Sequence, residues 1–194
     1  MNELSFSQKQ TSQMQIANFQ SGRCLKNLLD LINIDSPTKN IEGVFSVQKW
    51  VARELHNLGF TTQFFMSDQN DYAPLLVGHK VNGSAKTISL VMHADTVLSL
   101  QQYGHEGLQV EKGCLYGPGV IDNKGGIIIA LEGLREFLIY NKPHFNIQVI
   151  CVPNEEMGSE GYHHHLSILG KNSTLILGFE PALNNGDIIS SRHG

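Results

Sequence analysis

Between Gly22 and Asn33, apolar residues fall at Leu25, Leu28, Leu29 and Ile32, the three-and-four spacing that lines one face of a helix. Asp35-Ser36-Pro37 follows and reads as a turn. Val44, Val47, Val51, Leu55 and Leu58 repeat at the same interval, and Gly59 supplies a C-terminal cap for a second helix. Beyond Gly59 the period shortens. Residues 60–66, 75–78 and 87–92 read as strands. Asn82-Gly83 predicts a tight hairpin joining the last two. A long helix is predicted over 124–140, with a glycine-rich start and Pro143 just past its end. Residues 145–152 form a continuous apolar run, expected to be a buried strand. A short helix is expected over 159–166 and further strands over 174–177 and 188–190. Residues 1–21 are polar, rich in Gln and Ser, and read as a flexible leader.

Strands and helices thus alternate over residues 22–194, which predicts an α/β fold with helices on both faces of a sheet. The hairpin at Asn82 would make that sheet mixed rather than all parallel. In such folds ligands collect at the carboxyl ends of strands.

Composition narrows the class. The chain has 194 residues, 41% of them apolar and 16% charged, enough for one domain with a real core and unlike a disordered chain. A net charge of -4 gives no general reason to bind nucleic acid or an acidic membrane surface. Cys24, Cys114 and Cys151 are odd in number and far apart, which reads as reduced thiols in a cytoplasmic protein. The leader has no apolar secretory segment, and the apolar run at 126–131 is far too short to span a bilayer.

Four places carry candidate chemistry. The apolar stretch Leu90-Val91-Met92 ends in His93, with Asp95 two residues on, on the same face of an extended segment. A metal-binding imidazole needs its other nitrogen held, and a carboxylate does this well. Asp122 lies between the glycine-rich Tyr116-Gly117-Pro118-Gly119 and a helix start. One carboxylate has two oxygens and can bridge two ions about 3.5–4 Å apart. Glu155 and Glu156 follow a buried strand directly, and hydrolysis at a metal needs both a carboxylate ligand and a base. Glu180 ends another apolar strand, in Gly178-Phe179-Glu180-Pro181.

Each has a plain structural alternative: a satisfied strand-end histidine, an aspartate capping the helix near Lys124, a solvated acidic turn, and an ordinary strand-end glutamate. Together they gain weight, because all can reach one edge of the sheet. Crowded carboxylates repel one another, and a divalent pair would relieve this. The donor set suits Zn²⁺, with Co²⁺ or Mn²⁺ also compatible.

His-Ala-Asp-Thr-Val, Gly-Pro-Gly-Val-Ile-Asp-Asn-Lys-Gly-Gly, Asn-Glu-Glu-Met-Gly-Ser-Glu-Gly and Phe-Glu-Pro occur here in one order. In this the chain resembles the zinc peptidase superfamily of glutamate carboxypeptidases, aminoacylases, acetylornithine deacetylase and succinyl-diaminopimelate desuccinylase, over roughly residues 22–194. Glutamate at position 180, rather than aspartate, looks more like the glutamate carboxypeptidase branch than the aminopeptidase branch. The resemblance implies a three-layer αβα sandwich with a mixed, mostly parallel sheet. It implies two Zn²⁺ ions: His93, Asp122 and Glu180 on one, Asp122 and Glu156 on the other. Glu155 would be the general base and acid, and Asp95 would orient His93. It also implies a cis peptide bond at Asp122-Asn123.

The implied reaction is hydrolysis of an amide bond in a short peptide or N-acyl amino acid. Two positions depart from the pattern: Asn123 stands where methionine is usual, and His193 where lysine is commoner. Relatives continue past the Arg192-His193-Gly194 position into a lid and dimerisation domain, through which they form homodimers. They then return to the catalytic domain with a further histidine ligand. By that comparison this chain is expected to be the N-terminal portion of a catalytic domain, with exposed apolar surface and little activity. A non-catalytic truncated product or metal-binding module is the alternative. A phosphate loop over 117–126 fits poorly, since it lacks the Lys-Ser/Thr ending.

Other conspicuous residues read plainly. His163, His164 and His165 suit a solvated helix, Cys114 and Cys151 small apolar sites, and Trp50 helix packing. Lys124 suits either a partner of nearby acids or a surface position.

Overall fold

A computed structural model describes residues 14–15, 22–67, 71–103, 109–112, 114–183, 185–187 and 189. The elements in chain order are β1 (Met14–Gln15), α1 (Gly22–Ile32), α2 (Ile41–Asn57), β2 (Thr61–Phe65), β3 (Leu75–Lys80), β4 (Thr87–His93) and α3 (Leu100–Tyr103). They continue with β5 (Gln109–Glu111), β6 (Cys114–Tyr116), α4 (Lys124–Tyr140), β7 (Asn146–Val152), a 3₁₀ turn (Glu155–Met157), α5 (His163–Lys171) and β8 (Leu175–Gly178). Most of the expected leader, and residues 188 and 190 of the strand expected over 188–190, fall outside the described residues, while residue 189 is described and is not in a strand. In the leader, Met14–Gln15 is the exception, pairing with Leu115 and Cys114 of β6.

The principal sheet has the order β2-β3-β7-β4-β8. β3 is antiparallel to both β2 and β7, while β4 is parallel to β7 and β8. Four of the five strands therefore run in one sense and only β3 opposes them. β7 is apolar on both faces, which suits a middle position. Its Ile147, Val149 and Cys151 join the core beneath α1, α2 and α4, with Leu28, Val51, Leu55 and Ile127. Its Ile150 and Val152 face the other way, beside Tyr162, Leu166 and Leu169 around α5. This alternation through one strand makes the architecture an α/β three-layer sandwich. Each fully buried aliphatic side chain in it contributes about 1.5–3 kcal/mol.

The expected hairpin at Asn82-Gly83 does not form, because β7 inserts between β3 and β4. The 82–86 segment instead wraps the start of β7. Asn82 Nδ2 donates to the Phe145 carbonyl at 2.9 Å, and Asn146 Nδ2 donates to the Ser84 carbonyl at 2.7 Å. The helix expected over 159–166 begins later, at His163. Gly158 and Gly161, with φ of 77° and 79°, keep the chain turning until then. A small antiparallel sheet, β1-β6-β5, was not anticipated.

The far edge is thinly covered. Leu175, Ile176 and Leu177 of β8 are 49%, 51% and 43% exposed. An apolar cleft of ≈ 390 Å³ opens nearby, lined by Ile88, Leu134, Phe145, Leu177 and Phe179 among others. No helix among the described residues is long and apolar enough to cross a membrane.

Candidate functional site

The parallel strands β4, β7 and β8 all deliver their carboxyl ends to one side of the sheet. β4 ends at His93, which is 1% exposed, and Asp95 just beyond is fully buried. His93 Nδ1 lies 3.2 Å from Asp95 Oδ1, and Nε2 lies 2.8 Å from Asp122 Oδ1 and 3.7 Å from Glu180 Oε2. The imidazole is thus held on one side and faces two carboxylates on the other.

Asp95 also binds the end of β7. The Glu155 N–H donates to Asp95 Oδ1 at 3.1 Å and the Glu156 N–H to Asp95 Oδ2 at 3.3 Å. The alternative of a plain acidic turn leaves this out, since two successive amides converge on a buried carboxylate.

Asp122 closes the turn before α4, and the Asp122–Asn123 peptide bond is cis. The N-cap of α4 is Asn123, so Asp122 is not the helix cap. Asn123 is fully buried, and its Nδ2 donates to the Phe179 carbonyl at 2.7 Å. The chain thereby ties the Asp122 turn to the segment carrying Glu180. The approach is so close that a Cβ at position 126 would collide with the Phe179 carbonyl oxygen, which explains glycine there.

All six residues expected at the site are therefore together. His93, Asp122 and Glu180 offer ligand atoms within 4.8 Å of one another, and so do His93, Glu155 and Glu156. The second group joins both glutamates to His93 rather than to Asp122.

The electrostatics reflect crowding. Burial pulls the His93 pKa down, but hydrogen bonds to Asp122, Asp95 and Glu180 outweigh it and hold the imidazole well above its usual value. Burial, then the charge of Asp122, pushes the Glu156 carboxyl up to about 7. Burial also raises Glu155. Glu156 Oε1 is buried without a hydrogen-bond partner. A ring nitrogen, several hard oxygens and an unpartnered carboxylate oxygen fit a divalent cation such as Zn²⁺.

The roles of three supporting residues were not given by the sequence. Thr38 Oγ1 donates to Asp95 Oδ2 at 2.7 Å. Asn154, fully buried, donates from Nδ2 to the Glu160 carbonyl at 2.9 Å and shapes the turn after Glu156. Lys124 neither pairs with a site acid nor lies at the surface. It is 1% exposed, and its Nζ donates to the Ile34 carbonyl at 2.6 Å. Burial lowers its pKa to about 7, opposed by the nearby charge of Asp35. The plain readings fare better elsewhere. His163 and His164 are exposed, while Trp50 and Cys151 are buried; Cys114 is only partly so.

Known proteins resemble this chain in sequence and in fold. The chain is 31% identical over 173 residues to carboxypeptidase G2 of Pseudomonas sp. (strain RS-16), covering 86% of this chain and 40% of that protein. It is 30% identical over 146 residues to cysteinylglycine-S-conjugate dipeptidase of Corynebacterium striatum, covering 71% and 32%. The chain thus spans well under half the length of these relatives. The crystal structure of human carnosine dipeptidase 1 superposes with a TM-score of 0.70 at 19% identity, over 80% of this chain and 38% of that one, a likeness of fold. The model of peptidase family M20/M25/M40 matches residues 90–189, a span that runs from inside β4 past Glu180 and holds every residue of both clusters. On that match and the identity to the carboxypeptidase, the chain belongs to peptidase family M20/M25/M40.

Proposed function

We propose that this chain carries the metal centre of a hydrolase that cleaves an amide bond in a short peptide or N-acyl amino acid. The observation behind this reading is the pair of clusters sharing His93 at the carboxyl ends of three parallel strands. The names of the carboxypeptidase and the dipeptidase favour a peptide-like substrate. His93, Asp122 and Glu180 would hold one Zn²⁺, and Glu156, with Asp122, would hold a second. When bound, such ions polarise a carbonyl and lower the pKa of their water to about 7.

The chain's own residues do the rest. Asp95 keeps the imidazole aimed so that Nε2 faces Asp122 and Glu180, the carboxylates with which it would hold a cation. Glu155, the more exposed of the two glutamates, takes a proton from the attacking water. It then returns that proton to the leaving amine. Burial raises its carboxyl above the usual carboxylate range, the direction that suits a group which first accepts and then donates a proton. Three cysteines, odd in number and far apart in sequence, favour a reducing, cytoplasmic location.

Native mass spectrometry after Zn²⁺ addition, beside an assay on an N-acyl amino acid and a dipeptide, tests the reading. The expected outcome is uptake of Zn²⁺, one ion held more strongly, with little turnover by the chain alone. No uptake at all would sink it. In a form with turnover, Glu155→Gln should keep the metal and lose activity. Loss of metal instead would exchange the roles of the two glutamates.

A further inference from the structure

We propose that Thr38 is a positioning residue that sets Asp95, and through it His93 and the Glu155–Glu156 backbone, for metal binding; this rests on the reading of the site given above. The Asp95 carboxylate is fully buried and accepts from four donors. Three of them belong to the groups that Asp95 has to orient: His93 Nδ1 and the N–H groups of Glu155 and Glu156. The fourth, and the shortest at 2.7 Å, is the Thr38 hydroxyl, which comes from 57 residues away. Among the described residues it is the donor to Asp95 that comes from outside the site.

The loop that bears it is pinned. The Thr96 N–H donates to the Ser36 carbonyl at 2.9 Å, beside the parallel bridge of Pro37 to Thr96. The Leu100 N–H donates to Asp35 Oδ1 at 2.7 Å, and Asn40 Nδ2 donates to the Asp35 carbonyl at 2.8 Å. Lys124 Nζ reaches the Ile34 carbonyl at 2.6 Å. Pro37 fixes its own φ immediately before Thr38. The loop over 34–40 is therefore tied to the end of β4 and to the first turn of α4, the two places that supply His93 and Asp122. A hydroxyl held this firmly fixes which way the Asp95 oxygens face, and so where the imidazole and the two glutamates stand.

Partners behind metal ligands are worth about 10–100-fold in metal affinity. Zn²⁺ affinity of the whole chain, measured by competition with a chromophoric chelator, should fall by about that factor in Thr38→Val, which keeps the shape and removes the hydroxyl. Thr38→Ser should restore it. The absorption spectrum of bound Co²⁺ should change in Thr38→Val and return in Thr38→Ser, which loss of packing would not produce. Unchanged affinity and spectrum in Thr38→Val, or a Thr38→Ser as weak as Thr38→Val, overturns the proposal. If Thr38→Val does not fold, the unaltered chain decides. Its Thr38 hydroxyl proton should exchange slowly with water by NMR and shift on Zn²⁺ addition; fast exchange overturns the proposal. An unaltered chain that takes up no Zn²⁺ removes the metal reading and this proposal with it. Normal uptake by Thr38→Val removes only the role of Thr38.

Discussion

Asp95 is the residue on which most of the site converges, and its chemistry is that of a buried anion kept in place by donors. Removing its side chain leaves two backbone amides and a hydroxyl with no acceptor, while His93 Nδ1 keeps the residue-95 carbonyl at 3.1 Å, and each unsatisfied group costs about 1–3 kcal/mol. Asp95→Ala should therefore destabilise the metal-free chain by at least 2 kcal/mol, about twice that lower bound for one group, in urea unfolding. A loss below about 0.5 kcal/mol, the range of ordinary surface changes, would show that the donors find water instead. Cys151 makes a second point. Burial pushes its thiol up from 9.0 to about 12, so the folded chain holds the proton that the unfolded chain releases. The stability this gives is present below pH 9 and is lost as pH rises towards 12. The parent should lose stability faster than Cys151→Ala between pH 9 and 11, and Cys151 should resist alkylation until unfolding. Residue types at strand ends were legible in the sequence because acids after apolar runs stand out. Thr38, Asn123 and Lys124 were not, because each owes its role to a carbonyl or carboxylate 56 to 90 residues away.

Among the elements, β7 holds the most. It pairs on both sides and is buried on both faces, whereas β8 pairs with β4 and stands exposed. Ile150→Ala should cost about 2–4 kcal/mol in urea unfolding, as expected for a filled core position. Ile176→Ala should fall within about 0.5 kcal/mol of the parent. Similar losses at the two positions would mean that β8 is covered in solution. The long apolar and amphipathic runs announced α1, α2, α4 and β7 correctly, because burial and periodicity travel together. Strand order did not follow. Asn82-Gly83 has the local chemistry of a tight turn, yet a strand sixty residues on fits between its neighbours, and no local signal carries that. β5 and β6, of three residues each, are too short for any period to register.

At the scale of the whole molecule, a centre assembled from strands so far apart in sequence exists only when the sheet is formed. Zn²⁺ should therefore raise the unfolding free energy, by about 2.7 kcal/mol at a hundredfold excess over Kd. A chelator should reverse the gain, and an unchanged melting temperature would count against a preformed centre. The apolar edge has its own effect. Ile176→Lys should reduce self-association in light scattering without altering the melting temperature, since a charge on an open edge discourages strand-to-strand contact. Finally, the two clusters hang on supports of different strength. Glu180 follows a marginal strand that is paired along one edge and exposed on both faces, while Glu155 and Glu156 follow the best-anchored one. When the sheet frays, it should shed Glu180 first and leave His93 with the paired glutamates intact. Deuterium uptake at the amides of Ile176 to Gly178 should then outrun that at Val149 to Cys151, and an ion lodged with Glu180 should be the first to leave.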